Sequence, residues 1–422
     1  MLSKMRRILK MVLPNFEENL QKYARAIVEV GVNVSKSHTV VLSIDVDQAP
    51  LARMITKEAY ALGATEVIVK WADDIINREV MTHTPVERLT DIPQYKIDES
   101  LDHIEKGASR ISVRSSDPDA LSGIDAEKIA AYQSAVGKAM IEQRKATQAN
   151  KVSWLVAAAS GAKWAAKVFP ELETTEEQVD ALWDAIFKAV HIYDEDPIAT
   201  WKEKDVTLET KAEELNAQQF TALHYTAPGT DLTVGLPAGH RWEGAGSLNA
   251  RGERFMANMP TEEVFTAPDA NRVDGVVRST KPLSYAGTTI LDMEFTFKDG
   301  KVVEVTAAQG EETLKRLIET DEGAARLGEA ALVPNQSPIS QSGLTFFNTL
   351  FDENASNHLA LGSGYAFNIV GGTEMSEEEL AAAGLNRSTV HVDFMIGSKD
   401  MNIDGIKADG STVPVFRNGE WA

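Results

Sequence analysis

His391 and Asp393 alternate with Val390, Val392, Phe394 and Ile396, the two-residue period of a strand with one apolar face. An imidazole and a carboxylate therefore project to the same side of rigid backbone, which suits them to gripping a divalent cation. Glu353 and His358 bring the same two donor types from a second segment. Upstream, Pro260-Thr-Glu-Glu263-Val-Phe and Leu327-Gly-Glu329-Ala-Ala-Leu each embed carboxylates among apolar neighbours, where an unpaired charge is costly. Each feature also has an ordinary explanation: a surface salt bridge for His-x-Asp, and first-turn helix chemistry for Pro-Thr-Glu-Glu. Their conjunction says more. Together they exceed the ligands of one tetrahedral zinc, so if they converge they suggest a pair of metals sharing a bridging carboxylate.

Asn258-Met-Pro-Thr-Glu-Glu-Val-Phe-Thr-Ala-Pro-Asp269, Glu329, Glu353 with His358, Tyr365, and His391-Val-Asp393 resemble, in order and spacing, the metallo-aminopeptidase family of aminopeptidase T, aminopeptidase S and PepS. The resemblance is closest to the PepS type and runs essentially from Met11 onward. It implies two divalent ions (cobalt, zinc, manganese or magnesium) held by Glu263, Glu329, His358, His391 and Asp393. Glu263 fits the spacing better than Glu262. Glu353 falls on a position associated with the site, as ligand or proton shuttle, and Tyr365 on the proposed catalytic tyrosine. Read without the resemblance, Tyr365 is a core tyrosine. The family further implies a homodimer whose active sites open towards an enclosed cavity, limiting substrates to short peptides with a free N-terminus. In such a site a water shared by two cations falls in pKa from 15.7 towards roughly 7, and a phenol hydrogen bond to the tetrahedral oxyanion is worth several kcal/mol.

Composition sets the outer bounds. A chain of 422 residues, 43% hydrophobic and 25% charged, is long enough for two domains and a large core. A net charge of −21 argues against nucleic acid or an anionic membrane as partner, since phosphate binding requires concentrated Lys and Arg. With no cysteine the metal ligands must be His and carboxylate. A reducing compartment is compatible with that composition, and the location expected is the cytoplasm. No apolar run approaches a membrane span. The basic stretch 1–10 lacks patterning and reads as an N-terminal extension, its apolar part being too short for a signal peptide.

The elements that must position these residues fall into two groups. Helical spacing over 15–31, a buried strand at 39–45, a helix at 49–62 and a strand at 66–71 make a βαβ unit, hence a parallel sheet. Strands at 110–114 and 152–157 flank a helix over 126–147, and helices continue over 160–217. The expectation is an α/β N-terminal domain over 11–218. From 219 short strands at 220–225, 231–236, 273–278, 291–297 and 302–306 alternate with Pro/Gly turns, followed by a helix at 310–318. This predicts a β-rich α+β catalytic domain over 219–422, which contains every candidate ligand.

Other functions are weaker. No strand runs into Gly-x-Gly-x-x-Gly or a Walker loop. Asp73, Asp74 and Arg78 read as a solvated surface more readily than a cleft. His38, His83, His103 and His191 lack carboxylate partners at useful spacing, and His224 and His240 read as supporting groups. A two-metal phosphoesterase uses similar ligands but needs cations for phosphate, for which Arg326, Arg387 and Lys399 are the nearby candidates. A non-enzymatic α/β small-ligand binding protein is a third reading.

Overall fold

The computed structural model describes residues 13–115, 117–286 and 288–422; the expected extension at 1–10 lies outside them. Strands β1 (Thr39–Asp45), β2 (Glu66–Ala72), β3 (Ser109–Arg114) and β4 (Trp154–Ala158) form a parallel sheet in the order β2-β1-β3-β4. Parallel pairing requires crossover connections, and the apolar stripe of the helix Ala49–Ala61 closes the first of them, between β1 and β2. The helix Phe16–Ala26 packs on that helix, and its Tyr23 hydroxyl donates to the Ala158 carbonyl at 2.9 Å, fixing it to the end of β4.

Two details differ from the sequence expectation. Residues 73–105 carry helices Asp74–His83, Val86–Thr90 and Gln94–Glu105. The helix expected over 126–147 is two, Ala126–Ala139 and Ile141–Gln148, broken at Met140 with φ −100° and ψ 21°.

After the long helix Pro197–Gln218 the chain becomes strand-rich. One antiparallel sheet has eight strands, with Ala222–Ala227 at its middle pairing with Thr230–Gly235 and Asn402–Ile406. The second, which matters for chemistry, has four: His391–Met395, His358–Gly362, Leu327–Leu332 and Val264–Thr266, in that spatial order. One apolar core joins both halves, running from Leu20 and Leu42 through Trp201 to Phe295, Phe394 and Phe416. The chain also crosses between sheets. Val156 of β4 donates to the Ala257 carbonyl (2.8 Å) and accepts from Met259 (3.0 Å), so residues 257–259 run along the edge of the parallel sheet just before Glu263. Among the described residues no helix is long and apolar enough to cross a membrane.

Candidate metal centre

The register of the four-stranded sheet gathers the sequence candidates on one face. Ala360 lies opposite Asp393 on one side and Glu329 on the other. His358 is two residues before Ala360, and His391 two before Asp393, so all share that face. Glu263 immediately precedes the edge strand Val264–Thr266. Two sequence features make this geometry work. The register shifts between Leu327 and Glu329, a bulge that places two residues against one and re-aims Glu329. Gly362, with φ +105°, sits where an added Cβ would lie 2.2 Å from the Val390 carbonyl oxygen, so only glycine lets the His391 strand approach. The opposite face carries Leu359, Leu361, Val392 and Phe394, all in the core. The His391 strand thus has the one apolar face that the alternation predicts, and Asp393 on its other face is buried too.

The donors form two sets that share a member. Ligand atoms of Glu263, Glu329 and His358 lie within 4.8 Å of one another, and so do those of Glu329, His391 and Asp393. His358 Nε2 is 3.2 Å from Glu263 Oε2 and 3.4 Å from Glu329 Oε1. His391 Nε2 is 3.6 Å from Glu329 Oε2 and 3.4 Å from Asp393 Oδ1. Glu329 therefore turns one oxygen to each imidazole. Each imidazole is oriented from behind: His358 Nδ1 faces the Ser356 carbonyl at 3.1 Å and His391 Nδ1 the Ser363 carbonyl at 2.7 Å. An Nδ1–H donated to a carbonyl fixes each ring with Nε2 facing the carboxylates, the usual outer support of a metal-binding histidine, whose Nε2 gives up its proton when a cation takes its place.

The electrostatics point the same way. Burial lifts Glu329 above the usual carboxylate range. Burial lifts Glu353 well above it, and the charges of Asp393 and Glu263 add to that shift. Burial alone would lower the imidazoles, yet the carboxylates push His391 up to about 10 and His358 well above its ordinary value. Asp393 Oδ1 is buried without a hydrogen bond of good geometry, His391 Nε2 standing 3.4 Å away, and against the effect of burial the His391 charge holds the Asp393 carboxyl below its usual range. A buried, unsatisfied carboxylate oxygen beside acceptors of like charge is costly, and a divalent cation is what these donors fit.

Glu353 and Tyr365 line the same cavity of about 260 Å³ but belong to neither donor set. Burial, and then the charges of Glu329 and Asp393, hold the Tyr365 phenol well above its ordinary value. Its ring stacks on Phe367 at 5.1 Å and meets His391 at the same distance. Glu262 turns away from the centre and pairs with Lys204.

Sequence reasoning missed the buried Asn354. Its Oδ1 accepts from the Glu262 N–H at 2.7 Å and its Nδ2 donates to the Leu350 carbonyl at 2.9 Å, clamping the Glu353 turn to the Glu263 segment. Its partner is 92 residues away, so no local pattern signals it.

The remaining candidates stay outside. His224 pairs with Asp231 and His240 with the Pro237 carbonyl. His38, His83 and His191 do have carboxylate neighbours, against expectation: Glu253 at 3.0 Å, Glu79 at 3.2 Å and Asp194 at 3.4 Å. The first lies across the fold, which sequence spacing cannot show. Asp73 caps the helix Asp74–His83, accepting from Ile75 and Ile76, while Asp74 accepts from Asp117 and Arg78 donates to Ala120 and Ser122 carbonyls. Among the described residues no Lys or Arg lines the metal cavity; Arg387 pairs with Glu377 and Arg326 donates to the Ala270 carbonyl.

Paired donor sets on a sheet face, joined by one carboxylate, are the arrangement of a candidate metal-dependent hydrolase. The chain belongs to the thermophilic metalloprotease family M29, whose model matches residues 16–421. It is similar to Aminopeptidase PepS of Streptococcus thermophilus, 60% identical over 97% of this chain and 100% of that protein. Aminopeptidase AmpS of Bacillus subtilis is 52% identical over the same shares. The solved structure of wild-type AmpT from Thermus thermophilus superposes with a TM-score of 0.90 at 41% identity, covering 96% of this chain and 100% of that one. The family implies a divalent metal.

Proposed function

We propose that this metalloprotease is an aminopeptidase that releases N-terminal residues from short peptides, using two divalent ions bound by Glu263, Glu329 and His358 on one side and Glu329, His391 and Asp393 on the other. The observation that carries the reading is Glu329, which offers one oxygen to each imidazole and so suits a bridging carboxylate. Bound there, such ions acidify water and polarise a carbonyl.

The chain's own groups do the rest. Four carboxylates around the cavity complement the positive charge of a free α-amine. Trp154, Phe265, Leu350 and Phe367 line the same cavity and exclude water from the reacting bond, which strengthens electrostatic contacts inside. Tyr365 keeps its proton and donates to the oxygen that gains charge during attack. Glu353 carries a proton from the attacking water to the leaving amine. Neither role requires direct ligation, which fits their position outside both donor sets.

Within this reading the native ion is cobalt, zinc, manganese or magnesium, the assembly a homodimer, the location cytoplasmic, and the domain division at 218/219. Against the phosphoesterase alternative, no Lys or Arg among the described residues lines the cavity to receive phosphate. The test is metal analysis of dialysed protein followed by assay on aminoacyl chromogenic substrates with each metal restored. The expected result is two ions per chain, activity lost in chelator and regained with cobalt, zinc or manganese. Activity untouched by exhaustive chelation would overturn the reading.

A further inference from the structure

His391 lines two cavities. One is the metal cavity; the other, of about 580 Å³, lies between the helix pair Ala126–Ala139 and Ile141–Gln148 and the 389–392 segment. This volume is in the range of small-molecule pockets, about 300–1,000 Å³. The second cavity has the opposite electrostatic character to the first. In a chain of net charge −21 it is lined by no Asp or Glu, and it presents Lys138 and Arg144.

Lys138 is exposed and Arg144 half-buried, and among the described residues neither is paired with a carboxylate. Neighbouring Lys145 sits near Glu142, and Lys106, Lys188 and Arg387 all hold carboxylates. Lys138 and Arg144 have no carboxylate partner among the described residues. Arg144 makes a single hydrogen bond, from Nη1 to the Thr389 carbonyl at 3.1 Å, leaving most of its donor fork free. Six residues apart, the two would point about 120° away from each other on one continuous helix. The break at Met140 falls between them, and both line the cleft. Ile141, Tyr285, Val390 and Val392 supply its apolar wall.

We propose that this cleft receives the carboxyl end of a short peptide, Lys138 and Arg144 pairing with its terminal carboxylate while its amine lies in the carboxylate-rich cavity on the other side of His391. The two cavities then complement the two charges of a di- or tripeptide, and the apolar wall takes the side chain that follows the scissile bond. Guanidinium and ammonium pairing with carboxylate gives the stronger class of hydrogen bond. This rests on the aminopeptidase reading and adds to it a preference for a free carboxyl terminus.

The test compares kcat/KM of the metal-loaded enzyme for a tripeptide and its C-terminal amide, in wild type, Lys138→Met/Arg144→Met and Lys145→Met. The wild-type acid-to-amide ratio is expected to be about tenfold or more, expressed mainly in KM, for an interaction of about 1.4 kcal/mol. It falls to about one in the double variant, which removes two positive charges, and persists in Lys145→Met, which removes one from a neighbouring side chain that does not line the cleft. A wild-type ratio near one, with both peptides cleaved, overturns the proposal and leaves the aminopeptidase reading intact. Equal loss of the ratio in Lys145→Met also overturns it, since long-range charge would then explain the effect. Failure to cleave either peptide or any aminoacyl chromogenic substrate defeats the underlying reading instead.

Discussion

The molecule gathers acidic side chains in two places, and they behave differently. At the C-terminal ends of the parallel strands, Asp45, Asp73, Asp74 and Asp117 line a cleft of about 660 Å³, the place where open α/β sheets commonly hold ligands. Yet these carboxylates are occupied by the protein itself. Asp45 accepts from the Ser115 N–H and hydroxyl at 3.1 and 2.6 Å, Asp73 caps a helix and Asp74 accepts from Asp117. On the four-stranded sheet, Glu263, Glu329 and Asp393 face imidazoles instead, and Asp393 Oδ1 has no hydrogen-bond partner. The lesson is that counting acids does not locate a metal. Buried acceptors without backbone donors, next to imidazoles whose Nδ1 is already engaged, do.

The sharpest way to break this contrast is Glu329→Gln, which removes one charge from both donor sets. Metal affinity should fall by more than about 100-fold, the upper scale for losing merely an outer partner of a ligand, and activity with it. Titration of the apoprotein with cobalt, followed by its absorption spectrum, measures this. Unchanged stoichiometry and affinity would place the metal elsewhere. Almost as large, Tyr365→Phe should lower kcat by about 10²–10³-fold, the scale of one oxyanion donor, with metal content and KM near wild type. An unchanged rate would return Tyr365 to an aromatic packing role.

N-acetylation of a tripeptide probes the same cavity from the substrate side. It removes the charge that the carboxylates complement, so the acetylated copy should resist cleavage in a timed product assay, whereas equal hydrolysis would contradict the aminopeptidase assignment. The smallest effect belongs to the first region. Asp73→Ala should cost about 1 kcal/mol as a lost helix cap, read by urea denaturation, and leave metal content and kcat unchanged. A loss of metal in that variant would mean the two regions are not separate in function.

Much of this contrast was legible beforehand, and the exceptions have physical causes. The parallel sheet and the His391 strand follow from runs and alternation of apolar residues, and the donor residues from their types together with the family resemblance. The helices within 73–105 escaped because their apolar residues face outward: Ile75, Ile76 and Tyr95 are 77%, 63% and 67% exposed, so no buried stripe marks the period. The break at Met140 has no proline to announce it. Asn354, Lys204 and the His38–Glu253 pair act across long sequence separations, which local pattern does not encode.

The bonds between Val156 and residues 257–259 also tie the donor residues to the other half of the molecule. The segment that presents Glu263 is pinned to the edge of the parallel sheet, so the geometry of the first donor set depends on both sheets. Loosening β4 is therefore expected to disturb the donor set containing Glu263 before the set of Glu329, His391 and Asp393, which is carried wholly by strands of the four-stranded sheet.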